Sequence, residues 1–219
     1  MNAARPLAIL GGTFDPIHNA HLRVAWEAGE FLDAEVRLLP ASVPPHRAQP
    51  VASATVRAAL VRAALAGQDR LILDTRELER HGPSYTVDTL LELRAELGPW
   101  RPLVLLVGAD AFAGLATWHR WQELFGLAHI GVLTRPGHHA PLQAELRAAI
   151  ISRRASDPRA LSESPAGRVL QIPVTPLEIS ASHIRQLLAE GRDPRWLVPE
   201  AVSADPRLLA PYMAVPGGA

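Results

Sequence analysis

Six short, strand-like apolar runs lie at residues 7–10, 36–39, 71–73, 103–107, 130–133 and 169–172. They alternate with stretches at 20–31, 55–66, 86–97, 142–151 and 182–190, in which apolar residues recur three and four positions apart. A spacing of three and four is the signature of one face of a helix, whereas a short unbroken apolar run bounded by turn residues fits a buried strand. Strands alternating with helices in this way specify βαβ units, because a parallel neighbour is reached only by a crossover over the sheet face. The run LVLLV at 103–107 has no polar face at all, as expected of a central strand covered on both sides. The expectation is an α/β fold: a doubly wound parallel sheet with helices on both faces.

In such a sheet ligands bind beyond the carboxyl ends of the strands, where the strand order reverses. The segments that follow the strands are therefore the ones to search: GGTFDPIH after the first, PASVPPHR after the second, GAD after the fourth and TRPG after the fifth. Residues 152–167 lack periodicity and read as a mobile connector. A length of 219 residues fits one domain, 1–219, with a C-terminal helical segment from about 180.

Composition limits the chemistry. The chain has no cysteine, which removes disulfide frameworks, thiolate zinc sites and thiol nucleophiles. All 22 of its basic side chains are arginine. Without lysine there can be no Walker A phosphate loop and no Schiff-base cofactor chemistry, so a side-chain cation that holds phosphate must be arginine or protonated histidine. A formal net charge of zero with no long basic run does not suggest a nucleic-acid partner. No apolar run reaches the roughly 18 residues of a membrane span, and the N-terminus lacks a secretory core, so a cytoplasmic protein is expected. A homo-oligomer stays open.

Gly11 and Gly12 follow the first strand directly. Without Cβ atoms the chain can turn there and bring backbone amides close to an anion. A helix entered near Asn19 or Ala20 turns its free amides and positive dipole end toward the same place, and His18 and His21 share one side of that entry. Each part alone has a plainer reading: a turn, a pair of surface or core histidines, or two ligands of a metal with Asp15 as a third. Their conjunction in GGTFDPIHNAHL, with Thr13 and Phe14 inside the turn, resembles the (H/T)xGH-type signature of the nucleotidyltransferase superfamily related to class I aminoacyl-tRNA synthetases. That resemblance implies a Rossmann-like sheet, with His18 and His21 on the nucleotide phosphates.

A second signature of that superfamily is matched by EISASHIR at 178–185, through Ser180, Ser182 and Arg185. Physically it is a helix start: Ser180 or Ser182 can cap the free amides, and Ser182 shares a face with Arg185. With PASVPPHR, DTRELERHGPSYTVDTL, VGADAFAGLATWHRW, TRPG and WLVPEAV in order, nearly the whole chain is similar to the bacterial nicotinate-nucleotide adenylyltransferases. The ending DPRLLAPYM departs from the family.

The resemblance implies ATP contacts at Gly11, Gly12, Thr13, Phe14, His18, His21, Gly108, Asp110, Arg135, Ser180, Ser182 and Arg185, with His18, His21 and Arg185 catalytic. It implies nicotinate mononucleotide contacts at His46, Arg47, Tyr85, Thr86 and Trp118, with the Trp118 face on the pyridine ring. Mg²⁺ is expected to be carried mainly by ATP, with no metal site of the protein's own. The open alternatives are transfer to nicotinamide mononucleotide or to phosphopantetheine, and a non-catalytic nucleotide-binding module. A synthetase fragment is disfavoured, because its lysine-bearing second signature cannot exist here.

Overall fold

The computed structural model describes residues 5–42, 49–80, 82, 84–135 and 141–213. Its frame is a seven-stranded sheet in which every pair of neighbours is parallel. The strands are β1 (Leu7–Gly12), β2 (Glu35–Pro40), β3 (Leu71–Leu73), β4 (Leu103–Gly108), β5 (His129–Thr134), β6 (Arg154–Ala155) and β7 (Val169–Pro173). They are ordered β3-β2-β1-β4-β5-β7-β6, so the winding reverses between β1 and β4. Those two strands pair from Leu7 opposite Leu103 to Leu10 opposite Leu106, and both end in glycine at the same edge of the sheet.

The helices are α1 (Asn19–Leu32), α2 (Ala54–Ala64), α3 (Arg76–Glu79), α4 (Thr86–Leu97), α5 (Ala109–Ala113), α6 (Leu124–Leu127), α7 (Ala144–Ile150), α8 (Ala181–Ala189), α9 (Glu200–Ser203) and α10 (Pro206–Leu209). Alternation along the strands divides the core in two. Ala8, Leu10, Leu38, Val104 and Leu106 pack with residues of α1, α2 and α8. Leu7, Ile9, Leu39, Leu103, Leu105 and Val107 face the other way, onto α4, α6 and α7. Each central strand thus buries both of its faces, which is why it reads as uninterrupted apolar sequence.

The six expected strands and five longer helices are present, with ends within two residues of the sequence reading. The connector at 152–167 needs correction. It contributes edge strand β6, which pairs with β7, and a 3₁₀ turn over Pro158–Ser162 that buries Leu161 completely. A two-residue strand cannot show an alternation, so no periodicity could reveal it. Among the described residues no helix is long and apolar enough to cross a membrane.

Candidate active site

The loop between β1 and α1 is sharply folded. Phe14 takes a left-handed backbone conformation with φ of 48° and is buried, and the Asp15–Pro16 peptide bond is cis. The Phe14 ring lies back over Gly12, where a Cβ would meet it at 2.9 Å. Glycine at 12 is therefore required by close approach. The loop delivers the chain to His18, which stands in extended conformation as the N-cap of α1.

His18 and His21 are brought together as expected, their rings stacked at 3.6 Å and 21° apart. The edge of Phe14 closes against His21 at 5.0 Å. The His18 backbone N–H donates to His21 Nδ1 at 3.3 Å. Burial lowers the pKa of His18 to about 4, and burial together with the neighbouring His18 lowers that of His21 to about 3. Both imidazoles are consequently neutral near pH 7. Since Nδ1 of His21 accepts a hydrogen bond, its proton resides on Nε2, leaving one N–H donor to offer. A protonated-histidine cradle, one of the two cation types that composition allowed, is therefore not what these side chains present near pH 7.

The α8 motif comes to the same place. Ser180 Oγ caps α8 by accepting from the His183 N–H at 3.2 Å. Arg185, one turn into the helix, donates from Nη1 to the Asp15 carbonyl at 2.8 Å, and its Nη2 lies 3.4 Å from Ser182 Oγ. A cleft of about 510 Å³ opens between these elements, lined by Gly11, Gly12, Thr13, Phe14 and His21 on one side and by Ser182 and Arg185 on the other. Ala41 and residues 49–51 form a third wall. Backbone amides, a neutral imidazole donor, a hydroxyl and a guanidinium thus converge beyond the carboxyl end of β1, an arrangement suited to a polyanion.

The remaining expected positions are distributed around this cleft. Gly108 ends β4, Asp110 lies in the first turn of α5, and Arg135 follows β5; all three are exposed and stand outside the cleft's lining. Tyr85 is the N-cap of α4 and Thr86 its first residue. The Tyr85 ring sits 4.4 Å from that of His119, whose neighbour Trp118 is half-buried against the same core as Tyr85. Asp88 in the first turn of α4 pairs with Arg120 at 3.6 Å, tying the Trp118 segment to the start of α4. His46 and Arg47 fall outside the described residues. Among the described residues no group of three or more His, Asp or Glu side chains is placed to hold a metal ion.

Two buried residues at the cleft, Asp15 in its lining and Arg57 behind it, were not assigned to the site by sequence. Asp15 is buried, and its carboxylate accepts from the N–H groups of Val51 and Ala52 at 2.8 and 3.0 Å and from the Tyr212 hydroxyl at 2.8 Å. Arg57, in α2, is 1% exposed, and its guanidinium donates to the carbonyls of Thr13, Ala41, Ser42 and Ala52 at 2.6 to 3.3 Å. The usable signal for Arg57 was an arginine in the apolar stripe of a helix. Asp15 was weighed only as a metal ligand, a reading its three hydrogen-bond donors replace.

The cytidylyltransferase-like family profile matches residues 9–187. A protein of Pseudomonas putida (strain W619), named "Probable nicotinate-nucleotide adenylyltransferase", is 53% identical over 203 residues, 92% of each chain. A protein of Dechloromonas aromatica (strain RCB) with the same name is 49% identical over 91% of this chain and 94% of its own. Among solved structures, Plasmodium falciparum nicotinic acid mononucleotide adenylyltransferase complexed with NaAD superposes with a TM-score of 0.62 at 18% identity, covering 86% of each chain. The same enzyme complexed with APC gives 0.65 at 17% identity, covering 95% of this chain and 96% of that one. At such identities the structural likeness carries the fold.

Proposed function

This chain belongs to the cytidylyltransferase-like family and within it to the nicotinate-nucleotide adenylyltransferases, and from that premise we propose that it transfers the adenylyl group of ATP to nicotinate mononucleotide. The products are nicotinate adenine dinucleotide and pyrophosphate. The observation that carries the reading is the convergence of the β1 loop and the start of α8 on one cleft, with His21 opposite Ser182 and Arg185.

In this reaction a phosphate oxygen of the mononucleotide forms a bond to the α-phosphorus of ATP as the bond from that phosphorus to the bridging oxygen of pyrophosphate breaks. The attacking oxygen is already anionic, since the second pKa of such a phosphate is about 6. No general base is required. The work left to the protein is to hold two phosphates in line and to stabilise charge that moves onto the transferred group and the pyrophosphate. His21 Nε2–H, the Arg185 guanidinium, the Ser182 hydroxyl and the loop amides are the donors for that task, with His18 stacked behind His21 to fix its plane. Mg²⁺ carried by ATP would neutralise part of the phosphate charge, and no residue of this chain is assigned to hold it. Tyr85, Thr86 and Trp118 are proposed to take the nicotinate ring, the face of Trp118 against the ring and the α4 amides toward its carboxylate.

The test is pyrophosphate release from ATP and Mg²⁺ with nicotinate mononucleotide, run beside nicotinamide mononucleotide and phosphopantetheine. Release is expected with the nicotinate substrate, at a kcat/KM above that for either alternative. Turnover of phosphopantetheine alone, or of none of the three, refutes the assignment.

A further inference from the structure

The buried Arg57 lies behind the cleft and the buried Asp15 in its lining, and each joins parts of the chain that form different walls of it. Arg57 holds Thr13 of the β1 loop together with Ala41 and Ser42, where the chain leaves β2, and with Ala52, where it returns to α2. Asp15, in the β1 loop itself, binds the amides of Val51 and Ala52. Both ends of the segment following β2 are therefore anchored to the β1 loop. A direct bond from the Ala41 N–H to the Gly12 carbonyl, 2.9 Å, completes the seam. Tyr212, far along the chain in the ending that departs from the family, is buried and donates its hydroxyl to Asp15 Oδ1.

Simple packing does not call for this arrangement. Placing a guanidinium with 1% exposure in a core is costly unless its donors are satisfied, and here the acceptors are loop carbonyls from three separate segments. The planar fork can reach divergent acceptors at fixed angles, which a lysine ammonium cannot reproduce.

We infer that Arg57 and Asp15, with Tyr212, form a positioning unit that sets the register between the β1 loop and the segment following β2, and through it the alignment of the two substrates. None of the three touches a reacting atom in this scheme. The inference rests on the proposed reaction in one respect only, that this cleft holds the reacting phosphates. The Ala41–Gly12 bond does not involve the unit and should persist when the unit is weakened. Binding of either substrate alone should then change little, while the in-line geometry that only the reaction requires is lost.

Arg57→Lys and Tyr212→Phe test this by steady-state kinetics and amide hydrogen exchange. For Arg57→Lys, kcat should fall at least ~10-fold with both KM values within about threefold, since misalignment of reacting groups costs rate far more than affinity. Exchange should rise together at Ala41, Val51 and Ala52. Tyr212→Phe removes a single hydroxyl and keeps the ring, so it remains informative if the arginine variant does not fold; it should slow kcat by about threefold or more and raise exchange at Val51 and Ala52. Unchanged exchange at those amides in Tyr212→Phe, or a wild-type kcat in whichever variants fold, overturns the inference. If the wild-type enzyme itself releases no pyrophosphate, the functional reading fails, and the exchange data still decide whether the unit joins the two walls.

Discussion

Replacing His21 with asparagine should flatten the loss of stability on acidification. An imidazole in the unfolded chain titrates at 6.5, whereas folded His21 titrates at about 3. Between those values the unfolded state binds the proton that the folded state refuses, so stability rises with pH. The contribution is fully present above pH 6.5 and is lost as pH falls toward 3. At pH 5 the unfolded-state proton is worth about 2 kcal/mol, with almost nothing returned by the folded state. That figure is a ceiling, because His21 keeps a solvent-facing edge in the cleft and screening reduces it. Asparagine retains an acceptor for the His18 N–H and does not titrate. Urea unfolding at pH 7 and pH 5 should show the wild-type protein losing about 1 to 2 kcal/mol more than His21→Asn over that interval. His18, lowered to about 4 by burial, contributes in both proteins. Parallel pH dependences for the two proteins would refute the neutral-imidazole reading, and with it the assignment of the His21 proton to Nε2.

Gly12→Ala places a Cβ 2.9 Å from the Phe14 ring and should cost about 1 to 3 kcal/mol while raising the KM for ATP, measured by thermal melting and kinetics; wild-type values for both would mean the turn yields freely. Trp118→Leu should raise the KM for nicotinate mononucleotide by about threefold to tenfold and leave that for ATP unchanged, from the loss of one aromatic face. Equal shifts in both KM values would assign Trp118 to packing instead.

The sheet was legible because buried parallel strands must be apolar on both faces, so Leu103–Gly108 declares itself without any partner in view. The loop at Gly11 was legible for a related reason, since a ligand placed beyond a strand end requires a tight turn and a helix start in fixed order. The short pieces were not. α5, α6, α9 and α10 span four or five residues each, too few for a period of 3.6 to repeat. The charge states were also hidden. Sequence places His18 and His21 on one side of a helix entry, but their neutrality follows from burial and stacking, which no local pattern encodes. Arg57 gave only a faint signal: it falls in the apolar stripe of its helix, but one of two arginines in an alanine-rich helix looks solvated, and only tertiary contact reveals four carbonyls around it.

Neutral histidines at a site proposed for a triphosphate have a physical logic. A cationic pair stacked at 3.6 Å would repel itself and would hold a bound phosphate as strongly before transfer as during it. A neutral Nε2–H donor, fixed in plane by the His18 N–H on the opposite nitrogen, adds direction without that repulsion. Arg185 brings permanent charge, and it is held from behind by the Asp15 carbonyl, so its position does not depend on the ligand. Oriented donors of this kind are worth most where charge develops after binding, because they need no rearrangement when it does. The approach of the triphosphate must in turn raise the pKa of both imidazoles, since an opposite charge favours their protonated form. On the proposed reading the proton balance of the site would thereby follow the substrate, with both imidazoles more basic once the phosphates are alongside.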